Sequence, residues 1–303
     1  MNITKDAICA VVVTYNPASM VVANVTALLE QVNHVVVVDN GSSHGLSQDH
    51  VVALSQLSNV SVHWNGANLG IAAALNIGVQ AALHKGYPWI ATFDQDSTVT
   101  PEMFSFMSAT YNDCPNKDRI AIICPRYRDQ TSGHVILNRT RNMICPSGAK
   151  VFSTMTSGNL VNSDVFGSAG SFREELFIDL VDFEFSLRCG RHGYWIIEAQ
   201  NAWLEHTLGS PTRLKLFGQT RLVSNHSAVR RYYWSRNMVW ILRHYWKFLC
   251  QHPRSAWIEL EYTFLSFVAL VLFERGRRKK IRYVFRGLYH GLIGRLGPIE
   301  RNP

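Results

Sequence analysis

Short, nearly continuous apolar runs alternate with helical spacings along the first hundred residues. Ala7–Thr14 is apolar on both faces, the pattern of a buried parallel strand. From Met20 to Val32 the apolar residues Met20, Val21, Val25, Leu28, Leu29 and Val32 recur at helical spacing. Val35–Val38 is a second strand, ending in Asp39-Asn40-Gly41-Ser42-Ser43, and Val60–Trp64 is a third. A helix is predicted from about Gly70 to His84. Trp89–Phe93 is a fourth strand, ending in Asp94-Gln95-Asp96-Ser97. This β-α-β-α order predicts an α/β fold with a mostly parallel central sheet flanked by helices. Such sheets bind ligands beyond the carboxyl ends of their strands, so polar residues there are the candidates for chemistry.

From about 120 to 210 strands and loops mix, with one helix around Phe183–His192. Residues 226–250 predict an aromatic, basic helix. After Pro253 come an apolar helix to about Phe273, then the run Arg275-Gly276-Arg277-Arg278-Lys279-Lys280. The last segment places Ile281, Val284, Phe285, Leu288, Leu292 and Leu296 on one stripe, with Arg278, Arg282 and Arg286 on another. A basic amphipathic helix of this kind can lie in a membrane interface. Two regions are therefore expected: a catalytic domain over 1–225 and a helical, basic, membrane-associating region over 226–303. No spanning helix is expected. The apolar stretch Tyr262–Phe273 is little more than half the roughly 20 residues that a span needs. Extending it to Ala256 takes in Glu259 and Glu261, both costly at a bilayer centre.

Charge sharpens this division. Residues 1–212 carry 12 Lys/Arg and 18 Asp/Glu, whereas residues 213–303 carry 18 and 4. The net charge of +8 thus belongs to the C-terminal third, where a basic region seeks phosphate or anionic lipid. A solvated basic face is the bland alternative. With 47% hydrophobic and 17% charged residues, the composition excludes a disordered chain. None of the six cysteines forms a C-x-x-C pair, so free thiols in a reducing compartment are expected. The first apolar run is short and leads into Thr14-Tyr15-Asn16-Pro17, a strand and turn rather than a secretory leader.

Asp94-Gln95-Asp96 is the sharpest local signal. Two carboxylates one residue apart become compatible when a divalent cation sits between them, and Mg²⁺ or Mn²⁺ prefers oxygen ligands. His206 could complete such a site as a neutral imidazole, although a lone histidine also serves structural roles. Asp39 could accept the imide N–H of uracil or thymine, or cap a turn. Asn68–Gly78 opens a helix with small residues, suited either to close approach of phosphate or to tight helix–sheet packing. Asp182, among apolar residues, suits a general base; its competing uses are a helix cap or an ion pair with Arg188. Glu184 and Asp179 are rivals for the same role. Arg230-Arg231-Tyr232-Tyr233-Trp234-Ser235-Arg236-Asn237 could clamp diphosphate oxygens or pack as a basic, aromatic face.

The order of these pieces resembles the inverting family 2 glycosyltransferases of the GT-A fold. The matching segments are Val12-Val13-Thr14-Tyr15-Asn16-Pro17, Val38-Asp39-Asn40-Gly41-Ser42, Asn68–Gly78, Asp94-Gln95-Asp96, Ser157-Gly158-Asn159, Val181-Asp182-Phe183-Glu184 and His206. Phe93-Asp94-Gln95-Asp96-Ser97, with Tyr232-Tyr233 and Arg236-Asn237, looks most like the bacterial rhamnosyltransferases of this family. The resemblance implies that Asp182 is the catalytic base. It implies a nucleotide-sugar site formed by Thr14, Tyr15, Asn16, Asp39, Asn68, Gly70, Asn76, Asp94 and Arg236. It further implies a divalent metal, Mg²⁺ or Mn²⁺, at Asp94, Asp96 and His206. The family often shows Glu-Asp where this chain has Val181-Asp182.

The implied donor is dTDP-L-rhamnose and the implied acceptor a lipid-linked (polyprenyl diphosphate) oligosaccharide of O-antigen or related polysaccharide. The implied location is cytoplasmic, peripheral on an anionic bacterial membrane, with no nucleic acid partner. A UDP-hexose donor is the nearer alternative and a sugar-phosphate nucleotidyltransferase the further one, although Val11–Pro17 lacks the Gly-rich loop expected of the latter. A non-catalytic membrane or nucleic-acid module would leave Asp39, Asp94, Asp96 and Asp182 without a purpose.

Overall fold

The computed structural model describes residues 3–43, 45–130, 133–136, 138–206, 212–216, 219–223 and 226–299. The domain boundary expected at 225 lies outside the described residues. The first half runs β1 (Ile8–Thr14), α1 (Met20–Gln31), β2 (His34–Asp39), α2 (Leu46–Ser55), β3 (Val60–Trp64), α3 (Ile71–His84), β4 (Trp89–Asp94), β5 (Ser97–Val99) and α4 (Met103–Asp113). There follow β6 (Ile120–Asp129), β7 (Val135–Ile136), β8 (Asn142–Cys145), β9 (Gly148–Val151), β10 (Asn159–Asn162), α5 (Asp164–Ser168), α6 (Val181–Arg191) and β11 (Trp195–His206). The chain continues through β12 (Thr212–Leu216), β13 (Gln219–Val223), α7 (Ala228–Gln251), α8 (Pro253–Phe273) and α9 (Arg277–Leu292).

The main sheet has the order β3-β2-β1-β4-β10-β6-β11-β9-β8, with β5 beside β11 and β7 beside β6. The pairs β3–β2, β2–β1, β1–β4 and β6–β11 are parallel, and β10 is antiparallel to both its neighbours. All seven residues of β1 are buried, which is why its sequence is apolar on both faces. Helix α3 lies close against this layer through Gly78: a Cβ there would stand 2.2 Å from Val11 Cγ1. The small residues of Asn68–Gly78 therefore serve helix–sheet packing at that end of the segment.

Two compact units make up the chain. One comprises residues 1–174 and 181–207; the other comprises 175–180 and 208–303. In the second unit α7 packs on α9 at two glycines. A Cβ on Gly287 would meet Tyr232 O at 2.4 Å, and one on Gly291 would meet Arg236 O at 2.6 Å. Glu274, buried at the end of α8, is ion-paired with Arg231 and with Lys280, the latter at 2.8 Å. The apolar stripe expected on the last helix divides accordingly. Val284 is buried with the glycines, whereas Phe285 and Leu292 are exposed beside Tyr289 and Ile293. Among the described residues no helix is long and apolar enough to cross a membrane.

Candidate active site

The parallel register sets three strand ends at one level. Thr14 pairs with Asp39 across β1–β2, and Val13 pairs with Asp94 across β1–β4. Asp39 is 2% exposed, and its carboxylate accepts from Thr14 Oγ1 at 3.1 Å and from the Ser42 N–H at 2.9 Å. Asn16 has a left-handed backbone, φ 47°, and its Oδ1 accepts from both the N–H and the hydroxyl of Ser43. The loop after β1 is thereby stitched to the loop after β2, leaving Tyr15 half exposed. Gln95, between the two aspartates, bridges to the same loop: the Tyr15 N–H donates to its Oε1 at 2.8 Å, and its amide donates to Tyr15 O.

Asn40 plays an organising part that the sequence reading did not single out. Its amide donates to Asn68 Oδ1 and Gly70 O, and its Oδ1 accepts from Asn65 Nδ2 and the Leu69 N–H. Asn68 in turn accepts the Gly70 N–H at 2.9 Å, where Gly70, at φ 89°, turns the chain into α3. The signal lay in the Val-Asp-Asn-Gly phrase, where only the aspartate had an obvious chemical use. Asn76 is employed elsewhere. It is buried and exchanges two hydrogen bonds with the Phe172 backbone while donating to Glu174. Its amide ties α3 to the chain before α6, so the expectation that it contacts the nucleotide-sugar gives way to a structural role.

Asp94, Asp96 and His206 come together. One ligand atom from each lies within 4.8 Å of the others. The cause is the antiparallel pairing of β5 with β11, which sets Ser97 opposite His206 and so brings Asp96 beside the imidazole, Oδ1 to Nδ1 3.9 Å. Ser97 Oγ lies 2.9 Å from His206 Nδ1 and accepts from Ser157 Oγ at 2.7 Å, while Ser157 Oγ also accepts the Asp94 N–H. Two carboxylates and one imidazole at this spacing fit a divalent cation of the Mg²⁺ or Mn²⁺ kind. Asp96 is exposed, Asp94 and His206 partly so, which leaves room for a further oxygen ligand.

The first turn of α6 holds two of the three carboxylates that competed for the role of base, and Asp179 precedes it in the chain. Glu184 is fully buried and accepts twice from Arg188, at 3.0 and 2.9 Å, with Arg173 also beside it. Arg188 spends its remaining nitrogen on Ala169 O, and the ion pair expected as an alternative use of Asp182 is made with Glu184 instead. Asp179 is ion-paired with Arg230. Asp182 is partly buried and accepts the Phe183 N–H at 2.8 Å. Burial pushes the Tyr127 phenol well above its ordinary range, and the charge of Asp182 adds to that shift. Tyr127 lies on β6 two residues before Asp129, which pairs with His206 across β6–β11.

Arg236 departs from expectation. It is 0% exposed, and its guanidinium donates to Asn237 Oδ1 and to the carbonyls of Gly297, Glu175 and Leu176. With its donors committed to oxygens inside the protein, it does not clamp a diphosphate. The two tyrosines of the same phrase are also internal. Tyr232 Oη lies 2.7 Å from His290 Nδ1, and Tyr233 Oη accepts the Ile299 N–H at 2.7 Å.

Residues 9–180 match the family described as Glycosyl transferase family 2. The dTDP-rhamnosyl transferase RfbF of Shigella flexneri is 36% identical over 247 residues, 78% of this chain and 80% of that protein. Among solved structures, GalNAc-T7 with UDP, GalNAc and Mn²⁺ is similar at TM-score 0.58 and 16% identity, over 80% of this chain and 48% of that one. S. aureus TarS 1-349 is similar at TM-score 0.51 and 17% identity, over 66% of this chain and 60% of that one. At these identities the two structures show the fold, and this chain spans only about half of the first of them. The family match takes in Asp39, Asp94 and Asp96 and stops two residues short of Asp182. Covering more than half of the chain, and joined by a relative that aligns with more than three quarters of it, this match establishes that the chain belongs to glycosyl transferase family 2.

Proposed function

We propose that this glycosyltransferase moves L-rhamnose from dTDP-L-rhamnose to a hydroxyl of a lipid-linked (polyprenyl diphosphate) oligosaccharide, inverting the anomeric carbon, in O-antigen or related cell-surface polysaccharide synthesis. The observation that carries the reading is the 36% identity to a dTDP-rhamnosyl transferase, on a chain that brings Asp94, Asp96 and His206 within reach of one ion. Asp39, fixed by Thr14 and Ser42, accepts the imide N–H of the thymine. The loops at Thr14–Asn16 and Asn68–Gly70 border the nucleoside. Asp94, Asp96 and His206 hold Mg²⁺ or Mn²⁺, which neutralises charge on the departing diphosphate when bound. Asp182 takes the proton of the acceptor hydroxyl as its oxygen bonds to the anomeric carbon. The bond from that carbon to the diphosphate oxygen breaks on the opposite face, so a single displacement inverts the centre. General-base assistance of this kind is typically worth about 10²–10⁴-fold.

The acceptor is presented at the cytoplasmic face of the bacterial membrane, where the second unit adheres peripherally. Supporting this, α8 exposes Trp257, Leu260, Phe264 and Phe267 along one stripe, and the exposed basic run Arg275–Lys279 follows closely. Asp39 suits uracil as well as thymine, which keeps a UDP-hexose as the second donor reading. Family membership replaces the nucleotidyltransferase and non-catalytic readings. Donor binding by calorimetry tests the proposal, comparing dTDP-L-rhamnose with UDP-sugars, with and without Mg²⁺ or Mn²⁺. Binding is expected for dTDP-L-rhamnose, with loss of affinity on chelation. Tight binding of a UDP-sugar instead would retain a transferase and discard rhamnose, and binding of neither would overturn the donor reading.

A further inference from the structure

Between Glu174 and Val181 the chain departs from the N-terminal unit, and residues 175–180 pack within the C-terminal one. Their path is strained. Phe177, Asp179 and Leu180 have φ of 65°, 64° and 61°, values that side chains with a Cβ adopt only when their surroundings impose them. What imposes them is α7. Arg236 Nη2 donates to Glu175 O at 3.1 Å and Leu176 O at 2.8 Å. Asn237 Nδ2 is shared among Leu176 O, Ile178 O and Asp179 O at 3.0, 2.9 and 2.8 Å. The Phe177 ring stacks on Tyr233 with centroids 5.1 Å apart, and Arg230 holds the Asp179 carboxylate.

Both Arg236 and Asn237 are fully buried, and the hydrogen-bond acceptors of Arg236 among the described residues are all neutral. Burying a guanidinium with no carboxylate partner, against carbonyls and the rings of Tyr232 and Tyr233, is a costly way to fill a core. What it achieves is the path of one loop, and the residue after that loop, Val181, begins the helix that carries Asp182. We propose that Arg236 and Asn237 are positioning residues for proton transfer, fixing Glu175–Leu180 by their carbonyls and so fixing where Asp182 enters α6. The inference rests on Asp182 being the base.

Three full-length variants test it: Asn237→Ala, Asn237→Ala with Leu180→Gly, and Asp182→Asn. A misplaced base costs turnover, so Asn237→Ala should lower kcat by about ten- to a hundred-fold while nucleotide affinity holds. The acid limb of its pH–rate profile should shift as the surroundings of the carboxylate change. Glycine takes a positive φ without strain, so Leu180→Gly in the same chain should restore part of the lost kcat. Full kcat in folded Asn237→Ala, or a fall in melting temperature with kcat and pH profile unchanged, overturns the proposal. If Asn237→Ala does not fold, Arg230→Ala releases the Asp179 end of the same loop and should give a smaller loss of the same kind. Wild-type turnover in Asp182→Asn removes the base, and the positioning role with it. An inactive Asp182→Asn beside a fully active Asn237→Ala removes the positioning role alone.

Discussion

Two carboxylates on the first turn of α6, Asp182 and Glu184, sit two residues apart and meet opposite fates. Glu184 lies in the interior against two guanidinium groups, and neutralising it would strand Arg188. Removing one partner of a buried pair typically costs about 3–5 kcal/mol, so Glu184→Gln should lose stability of that order in denaturant titration. Asp182→Asn should instead keep its fold and nucleotide affinity and lose roughly 10²–10⁴-fold in turnover. Cysteine reactivity follows the same contrast of environments. Burial pushes the thiols of Cys9, Cys114, Cys124 and Cys189 up to about 12, whereas Cys250 is exposed. A thiol reagent at mild alkaline pH should therefore label Cys250 first and reach those four only on unfolding. Rapid labelling of Cys124 in the native protein would contradict the packing around it.

At the scale of elements, the three-residue strand β5 does more for the candidate metal site than its length suggests. Its pairing with Leu204–His206 brings together residues more than a hundred positions apart. Ser97 lies beside the His206 imidazole and accepts from Ser157, so it orients a ligand without being one. Outer partners of this kind are commonly worth 10–100-fold in metal affinity, and Ser97→Ala should weaken Mn²⁺ binding by about that factor in a calorimetric titration. The apolar runs of β1, β3 and β4 and the helical spacing of α3 located those elements closely; β1 and β4 are buried along almost their whole length, which leaves a continuous apolar run in the sequence. Helix α9 was less legible. Its inner face is marked by Gly287 and Gly291, residues without apolar surface, and much of its apolar stripe is exposed. Close backbone approach is a property of two elements together and leaves little trace in the hydropathy of either. Gly287→Val should accordingly destabilise the second unit by roughly 1–3 kcal/mol or more, through forced overpacking against Tyr232 O.

The whole molecule divides its charge as it divides its structure, with the basic excess carried by the last third of the chain. If α8 and the exposed run Arg275–Lys279 engage an anionic bilayer, Trp257→Ser and Phe264→Ser should each weaken co-sedimentation with phosphatidylglycerol vesicles by roughly 1 kcal/mol or more. Added salt should weaken it further. Unchanged sedimentation under both treatments would remove the membrane role. The strand ends bearing Asp39, Asp94 and Asp96 were legible because a buried parallel strand is a continuous apolar run and its polar terminus is local in sequence. The family and its general chemistry followed from the order of those termini. Tertiary structure alone decided which side chains were spent on the fold. Asn76, Arg236, Asn237 and Tyr233 carry groups equally suited to ligands and to backbone partners, and only the path of residues 172–180 and 297–299 shows which they serve. The sequence states which hydrogen-bonding groups a residue owns; their partners depend on segments brought near by the fold, which no local pattern encodes.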